Sequence, residues 1–592
     1  MAAGAAPREA GTGIASGVTY PRSRSGMATA FGLSLLAFFL RLRGLQDWPA
    51  WTDETGEIAT AVDIAFHGAR PLVHNDSYRG PLWAWLLAIS LRILGPHAWL
   101  PRAFAAAIGA ATVGVVWLLA ARFVGRRGAL VAAVLATTAF APLVFFSHIA
   151  WSNHLTPLAV AVALLATAWA AGWPEPGRRD LPAAATVAST GAGWSPGRMI
   201  LAGLAWGAAL QTHPSALPAF AGLGGWLAWR RLRRWRDRAE RQDRSDRPAD
   251  PDLPTDRVLL GSCLAVALGA SLALSPVLVY NIQALRGGDQ PTSMAEATDR
   301  DQPVNRDLGP RAFVTNVIGL FGQLGRAAVA GPPWERGDPQ PRGLLRTTDG
   351  LRPAATVCAA ALLLAALSWA ARRPALALIA WPAWSSVLLL PLINRSYLNI
   401  YDARYLGVLL LLGQVSLAAW LAGEGGGGEI VVGEQAATAG SRRISGMRVA
   451  KGLILVFMVC YPLLAATTFA QRSYDSGRTP GPLWAALAAL VRDRQGRADA
   501  PPVFIARELR ALDLGGGGDP ARALTLMLAL EGQAVETVRA DTLGWHLAQG
   551  TGPLWAVVTE EVTWPAPWRP LELARGPGWQ ALRLERGSRS TP

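Results

Sequence analysis

A chain of 592 residues could hold several soluble domains, but 51% hydrophobic residues and a mean hydropathy of +0.24 exclude an ordinary soluble protein. The formal charge of +15 is carried by arginine, with Lys451 the single lysine and Gly452 following it. The chain therefore lacks the Gly-Lys-Ser/Thr ending of a phosphate-binding loop and encodes no ATP-driven motor.

In chain order, residues 1–26 are rich in Gly, Ala, Ser and Arg and are expected to form a disordered cytoplasmic N-terminus. The apolar run from Met27 to Leu40 is followed by Arg41 and Arg43 without a small-residue cleavage site, so it reads as an uncleaved first span. Apolar runs of bilayer-crossing length lie at 27–45, 102–121, 128–147, 154–172, 198–211, 214–229, 258–280, 352–371, 374–392, 404–421 and 449–470. The expected fold is thus an all-α polytopic membrane protein of about eleven transmembrane helices, its membrane domain spanning 27–470. Cys263, Cys358 and Cys460 all fall inside these runs and form neither a metal spacing nor a disulfide framework.

Charge tests the arrangement. With the N-terminus inside, the inner loops hold Arg122, Arg126 and Arg127, then Arg178, Arg179 and Arg198. Ten arginines follow between Arg230 and Arg257, then Arg372 and Arg373, then Arg442, Arg443, Arg448 and Lys451. Every inner loop obeys the positive-inside rule, so the charge speaks for a lipid bilayer and not for nucleic acid. The segment Pro81–Gly95 is apolar but short and contains Arg92, and it is expected to lie at the outer interface with Trp83 and Trp85 at headgroup level. Residues 46–101 then form the first outer loop, and 281–351 a second, long one.

From Gln471 the character changes. Val503–Ala506, Gly532–Arg539, Leu554–Thr559 and Gln580–Glu585 read as strands, with helices at Ala521–Leu530 and Thr542–Gln549. Residues 481–592 are therefore expected to be a small α/β domain on the extracytoplasmic side, the protein sitting in the plasma membrane.

Polar groups distant in sequence meet on the outer face by parity. Asp53, Glu54 and Glu57 open the first outer loop, and Arg79 closes it. His148, Asn153 and His154 follow the third span, His213 sits in a turn, and Asn394 to Tyr405 joins two spans with Arg404 and Tyr405 at its end. A convergent polar site at that interface is the natural inference. On spacing alone Asp53-Glu54 fits an N-cap and first-turn acid more readily than a catalytic pair. Arg404 could equally snorkel to headgroups, and His148 and His154 are poorly spaced to share a metal. Asp299-Arg300-Asp301 has the form of a nucleotide-sugar motif but lies on the wrong side for nucleotide sugars.

The order of motifs is more telling than any one of them. An Asp-Glu pair follows the first span, then Tyr-Arg-Gly-Pro-Leu-Trp (78–83), an interfacial helix, Leu-Pro-Arg (100–102), a basic turn, and a late Ala-Arg-Tyr-Leu (403–406) opening another helix. Over residues 27–420 this resembles the GT-C glycosyltransferase superfamily, particularly the family 39 protein O-mannosyltransferases and the lipid A aminoarabinose transferases. The resemblance implies a polytopic, inverting enzyme using a polyprenyl-phosphate sugar on the extracytoplasmic face. Asp53 then matches the catalytic aspartate and Glu54 its partner, while Arg404, with Arg79 and Tyr405, matches the donor-phosphate region. His148, Asn153, His154 and His213 are left as acceptor or accessory groups. Asn153 stands where relatives often carry a second acid. No metal site is assigned and a divalent cation is neither required nor excluded; the acceptor (protein, lipid or glycan) is open. The rival reading is a transporter or lipid flippase without transferase activity, for which mid-membrane charges and paired broken helices would speak.

Overall fold

The computed structural model describes residues 24–45, 52–73, 79–172, 195–242, 256–287, 309–331, 344–393, 404–422, 437–475, 482–497, 500–511, 519–549, 552–559, 562–576 and 578–587. The expectations for Asp299–Asp301, Tyr78 and Asn394 to Ala403 lie outside them, as does most of the N-terminal 1–26 segment.

The chain is mostly helical, and it is a multi-pass membrane protein. Among the described residues, six helices are long and apolar enough to cross a bilayer: Leu100–Thr138, Ser152–Ala170, Pro310–Ala330, Arg346–Ala371, Arg404–Ala422 and Met447–Gln471. A bent pair, Leu260–Ala273 and Ser275–Gly287, makes a seventh if counted as one broken span, its halves meeting at 70°. Gly26–Leu42 and Ala377–Leu392 are apolar but shorter.

Helix α1 (Arg24–Leu42) packs along α4 (Leu100–Thr138). At 39 residues α4 is about twice as long as a bilayer needs. Its helical geometry breaks at Gly125, whose φ of 74° is open to glycine and strained for other residues. The break falls between the expected spans 102–121 and 128–147, the second of which this helix covers only as far as Thr138, and the chain doubles back there. Arg102 at the start of the first half and Ala150 after the second both donate to Glu54.

Helices α6 (Thr156–Ala170) and α7 (Pro196–Thr212) form the next antiparallel pair, tied by Thr156–Thr212 at one end and Trp206–Thr167 towards the other. The next helix, α8 (Leu217–Gln242), runs well past the expected span 214–229, so the arginine-rich stretch begins as its helical extension. Behind α7 lies α9 (Asp256–Ala273). A Cβ on Gly203 or Gly207 would collide with the Val266 or Ala270 carbonyl, and one on Gly269 with that of Ile200. Small residues therefore let the two backbones touch, the usual device where helices associate without a hydrophobic drive.

One expectation needs correction. The region 281–351 is not simply a loop, because it contains α10 (Ser275–Gly287) in part and α11 (Pro310–Gly325), the latter continuing to Ala330 as a π-turn. Arg311, Asn316, Gln323 and Arg326 hold its mean hydropathy to 1.2 and hide it from a hydropathy reading. In the fold Gln323 is buried inside the bundle, the helix packing on α12 (Leu344–Ala371) and α13 (Ala377–Ile393), so this one polar side chain faces protein rather than lipid, while Arg311 is exposed. Helices α14 (Gly407–Ala422) and α15 (Ala437–Asp475) complete the bundle.

The first outer loop folds as two short helices, α2 (Thr52–Phe66) and α3 (Leu82–Leu94). With 13 residues α3 measures only about 20 Å, too short to cross. Trp83, Leu87 and Leu91 are buried along one stripe, while Trp85, Ile89 and Ile93 form an exposed apolar stripe, the pattern of a helix lying at an interface.

The C-terminal region forms a five-stranded sheet in the order β2-β1-β3-β5-β4, from β1 (Val503–Ala506), β2 (Val535–Val538), β3 (Leu554–Thr559), β4 (Trp568–Gly576) and β5 (Trp579–Arg586). β1 is parallel to β2 and β3, and β5 antiparallel to β3 and β4. Helices α16 (Pro482–Arg494), α17 (Pro520–Leu530) and α18 (Leu543–Gln549) accompany it. Its core is continuous with α2 and α3: Ile58, Trp83 and Leu87 share one apolar cluster with Trp484, Leu528 and Leu554.

Candidate active site at one pole of the bundle

Several stretches expected on the outer face meet at one end of the helical bundle: the start of α2, the segment at Arg79, the 148–154 turn, the 211–215 turn and Arg404–Tyr405. The first turn of α2 carries Asp53, whose side chain lies outside the described residues, then Glu54 and Glu57, both buried. Glu54 is gripped by a fork: Arg102 Nε donates to Oε1 at 2.9 Å and a terminal nitrogen to Oε2 at 2.8 Å. The Ala150 amide donates to Oε1 at 3.0 Å. Charge-assisted bidentate pairs of this kind are the strong, directional ones.

One turn on, Glu57 accepts from Arg79 at 2.5 Å, from the Ser152 hydroxyl at 2.9 Å and from the Ser152 amide at 2.6 Å. Burial raises its carboxyl above the ordinary value, while the Arg79 charge and the Ser152 hydrogen bonds act against that rise. Arg79 also donates to the Ser152 hydroxyl at 2.7 Å. Next to it, the Gly80 amide donates to the Gln211 carbonyl at 3.0 Å, and a Cβ there would press into the Gln211 side chain. Arg79, expected beside the donor phosphate, is thus built into the wall that fixes α2 against the Ser152 turn.

Arg404 sits differently. Its guanidinium lies over the rings of Trp151 at 4.6 Å and Tyr405 at 4.9 Å, and it donates to the Tyr405 hydroxyl at 2.7 Å. Its charge thus rests on aromatic faces, in contrast to the carboxylate clamps of Arg79 and Arg102. His213 lies 5.2 Å from the Tyr405 ring, and its Nδ1 accepts from the Ser215 amide at 3.0 Å, which leaves the ring proton on Nε2. Burial, then the charges of Arg79 and Arg404, push its pKa well below 6.5 and keep it neutral. His154 is wedged against Phe146 and Trp151 and donates from Nδ1 to the Ile149 carbonyl at 2.8 Å. Its Nε2 is buried without a hydrogen-bond partner. His148 donates from Nε2 to the Arg43 carbonyl at 2.8 Å, and burial lowers its pKa to about 4. Asn153 is buried in the short turn between His148 and α6.

The expected residues Glu54, Arg79, His148, Asn153, His154, His213, Arg404 and Tyr405 are therefore gathered at one pole, with Asp53 placed there by its backbone. Arg102, Ser152 and Gln211 hold the pole together, and the sequence pattern does not mark them as site residues. Arg102 is visible there only as the end of Leu-Pro-Arg, and its partner lies 48 residues away. Among the described residues no three His, Cys, Asp or Glu side chains group as a metal site.

No family model and no curated protein matches the chain. Solved structures resemble it in outline. ArnT from Cupriavidus metallidurans bound to undecaprenyl phosphate is 14% identical with a TM-score of 0.49, over 95% of this chain and 98% of that one. An oligosaccharyltransferase from Archaeoglobus fulgidus, tethered with an acceptor peptide containing the NVT sequon, is 12% identical with a TM-score of 0.43, over 84% of this chain and 63% of that one. Archaeal AglB in complex with an inhibitory peptide and a dolichol-phosphate is 13% identical with a TM-score of 0.39, over 90% and 70%. These are GT-C superfamily enzymes, the class the motif order resembles. Below a TM-score of 0.5 the likeness is one of outline and carries none of the functional reading.

Proposed function

We propose that the chain is a membrane-integral, inverting glycosyltransferase that moves a sugar from a polyprenyl-phosphate donor to a hydroxyl acceptor on the extracytoplasmic face. The observation that carries this is the convergence itself. The backbone of Asp53, the buried Glu54–Arg102 and Glu57–Arg79 pairs, and the aromatic-held Arg404 share one pole of a lipid-embedded bundle.

In the proposed reaction the acceptor oxygen attacks C1 of the sugar while Asp53 takes its proton, and the bond from C1 to the phosphate oxygen breaks. The electron pair leaves with the polyprenyl phosphate, whose charge Arg404 stabilises with hydrogen bonds strengthened by the apolar surroundings. Glu54 and Glu57 have their oxygens occupied, so their part is to fix α2 and aim Asp53. Neutral His213, which carries its ring proton on Nε2, is placed to orient a donor or acceptor oxygen. The N-terminus would be cytoplasmic and the α/β domain extracytoplasmic, in keeping with the inner-loop arginines.

The test is transfer from a panel of radiolabelled polyprenyl-phosphate sugars by the purified protein in nanodiscs. Wild type should consume one donor and release polyprenyl phosphate. Asp53→Asn should abolish transfer and leave membrane insertion intact. Full activity in that variant, or movement of unaltered substrate across proteoliposomes without transfer, would sink the reading.

A further inference from the structure

Arg102 does more than pair with Glu54. Its remaining terminal nitrogen donates to the Leu45 carbonyl at 2.7 Å. Leu45 ends the segment after the first helix, and Glu54 lies in the first turn of α2, so one guanidinium clips both ends of the stretch that carries Asp53. Each of its three nitrogens donates to one of these acceptors, so the clip is made at the guanidinium's edges. One face is covered by the ring of Trp484, 5.2 Å from Arg102 Cζ, at the start of α16 in the C-terminal region.

Trp484 is itself buried, and its indole N–H has no hydrogen-bond partner. Its contribution at this position is therefore the ring face. The surrounding contact is broad: α17 packs on α2, and Glu531 accepts from the Ala98 amide at 2.9 Å. The α/β domain is thus seated against the helix whose first turn carries Asp53.

We infer that Trp484 is a positioning residue: by capping the Arg102 guanidinium it holds the clip on Leu45 and Glu54, and so makes the C-terminal domain part of the active-site scaffold. This rests on the transferase reading for its effect on rate, but not for its effect on structure. A ring over a guanidinium excludes water from the ion pair and adds its own attraction at a face that the in-plane hydrogen bonds leave to it.

The experiment compares Trp484→Leu, which keeps apolar volume without a ring face, and Trp484→Phe, which keeps a smaller aromatic face and drops the unused N–H. Hydrogen exchange is read at the amides of residues 52–57 in the full-length protein, alongside donor kinetics. Trp484→Leu should speed exchange there about tenfold and lower kcat about tenfold, with donor KM within twofold of wild type; Trp484→Phe should restore both. Unchanged exchange at 52–57 in Trp484→Leu, or a Phe variant as impaired as the Leu variant, overturns the inference. Should wild type transfer no sugar, the proposed function fails and the exchange comparison still decides this one.

Discussion

Two buried arginines of the site pole, Arg79 and Arg102, are held in a way opposite to the cations of the far pole. At the far pole Arg122 donates to the Ala168 carbonyl at 3.0 Å and Lys451 to the Trp420 carbonyl at 2.6 Å. There Arg198 lies 4.8 Å over Trp169, and Arg373 5.2 Å over Trp369. These are snorkelling side chains at helix ends, resting on an aromatic belt. At the site pole, Arg79 and Arg102 are buried and locked to carboxylates. A buried charge is costly without a partner, so such pairs persist where geometry must be held. The arginine count is the argument for orientation at the first pole; the pairing geometry marks out the candidate site at the second.

The sharpest way to break this contrast is to remove one buried acid. Glu54→Gln leaves Arg102 buried without its counter-charge, and breaking a buried pair in this way costs about 3–5 kcal/mol. The melting temperature in detergent should fall by several degrees, and transfer should be lost even at temperatures where the variant stays folded. A variant as stable and active as wild type would reduce the Glu54–Arg102 fork to decoration.

Much of this pole is legible in the amino-acid sequence, and the reasons are specific. Parity and the inner-loop arginines place Asp53, His213 and Arg404 on one face, because the bilayer turns a one-dimensional pattern into a side. The strands Val503–Ala506 and Leu554–Thr559 match residue for residue, as short apolar runs bounded by turn residues do. What the pattern hides is of two kinds. Helix Pro310–Ala330 and strand Trp568–Gly576 have no clean apolar period: the helix buries Gln323 within protein, and the strand carries Pro570 and is largely exposed. The contacts of Glu57 with Ser152 cross 95 residues, a pairing that no local spacing encodes. Likewise the covering of Arg102 by Trp484 joins opposite ends of the chain.

A smaller effect separates the poles by pH. His148 is buried and neutral at the site pole, with a pKa lowered to about 4. A depressed folded pKa contributes stability that is complete above the unfolded value, about 6.5, and is lost as pH falls from there towards the folded value. Protonation of the unfolded chain should therefore cost the fold about 2 kcal/mol at pH 5 relative to pH 7. His148→Gln keeps a donor for the Arg43 carbonyl and removes the titration, so its melting temperature should fall less between pH 7 and pH 5 than that of wild type. An equal fall in both would assign the acid sensitivity elsewhere.

The smallest effect is expected at the far pole, and it tests the other half of the contrast. Arg373→Ala and Arg198→Ala each remove a cation from a belt tryptophan, where such contacts contribute about 0.5–1 kcal/mol at exposed sites. Each should shift the melting temperature by no more than a few degrees and leave donor KM and kcat within twofold of wild type. The low cost follows from their surroundings: water and headgroups can take over from the tryptophan, whereas Arg102 is buried and held in a two-point fork by the Glu54 carboxylate. A loss of transfer in either variant as deep as that of Glu54→Gln would mean that the far-pole arginines do more than fix orientation, and the division of labour between the poles would fail.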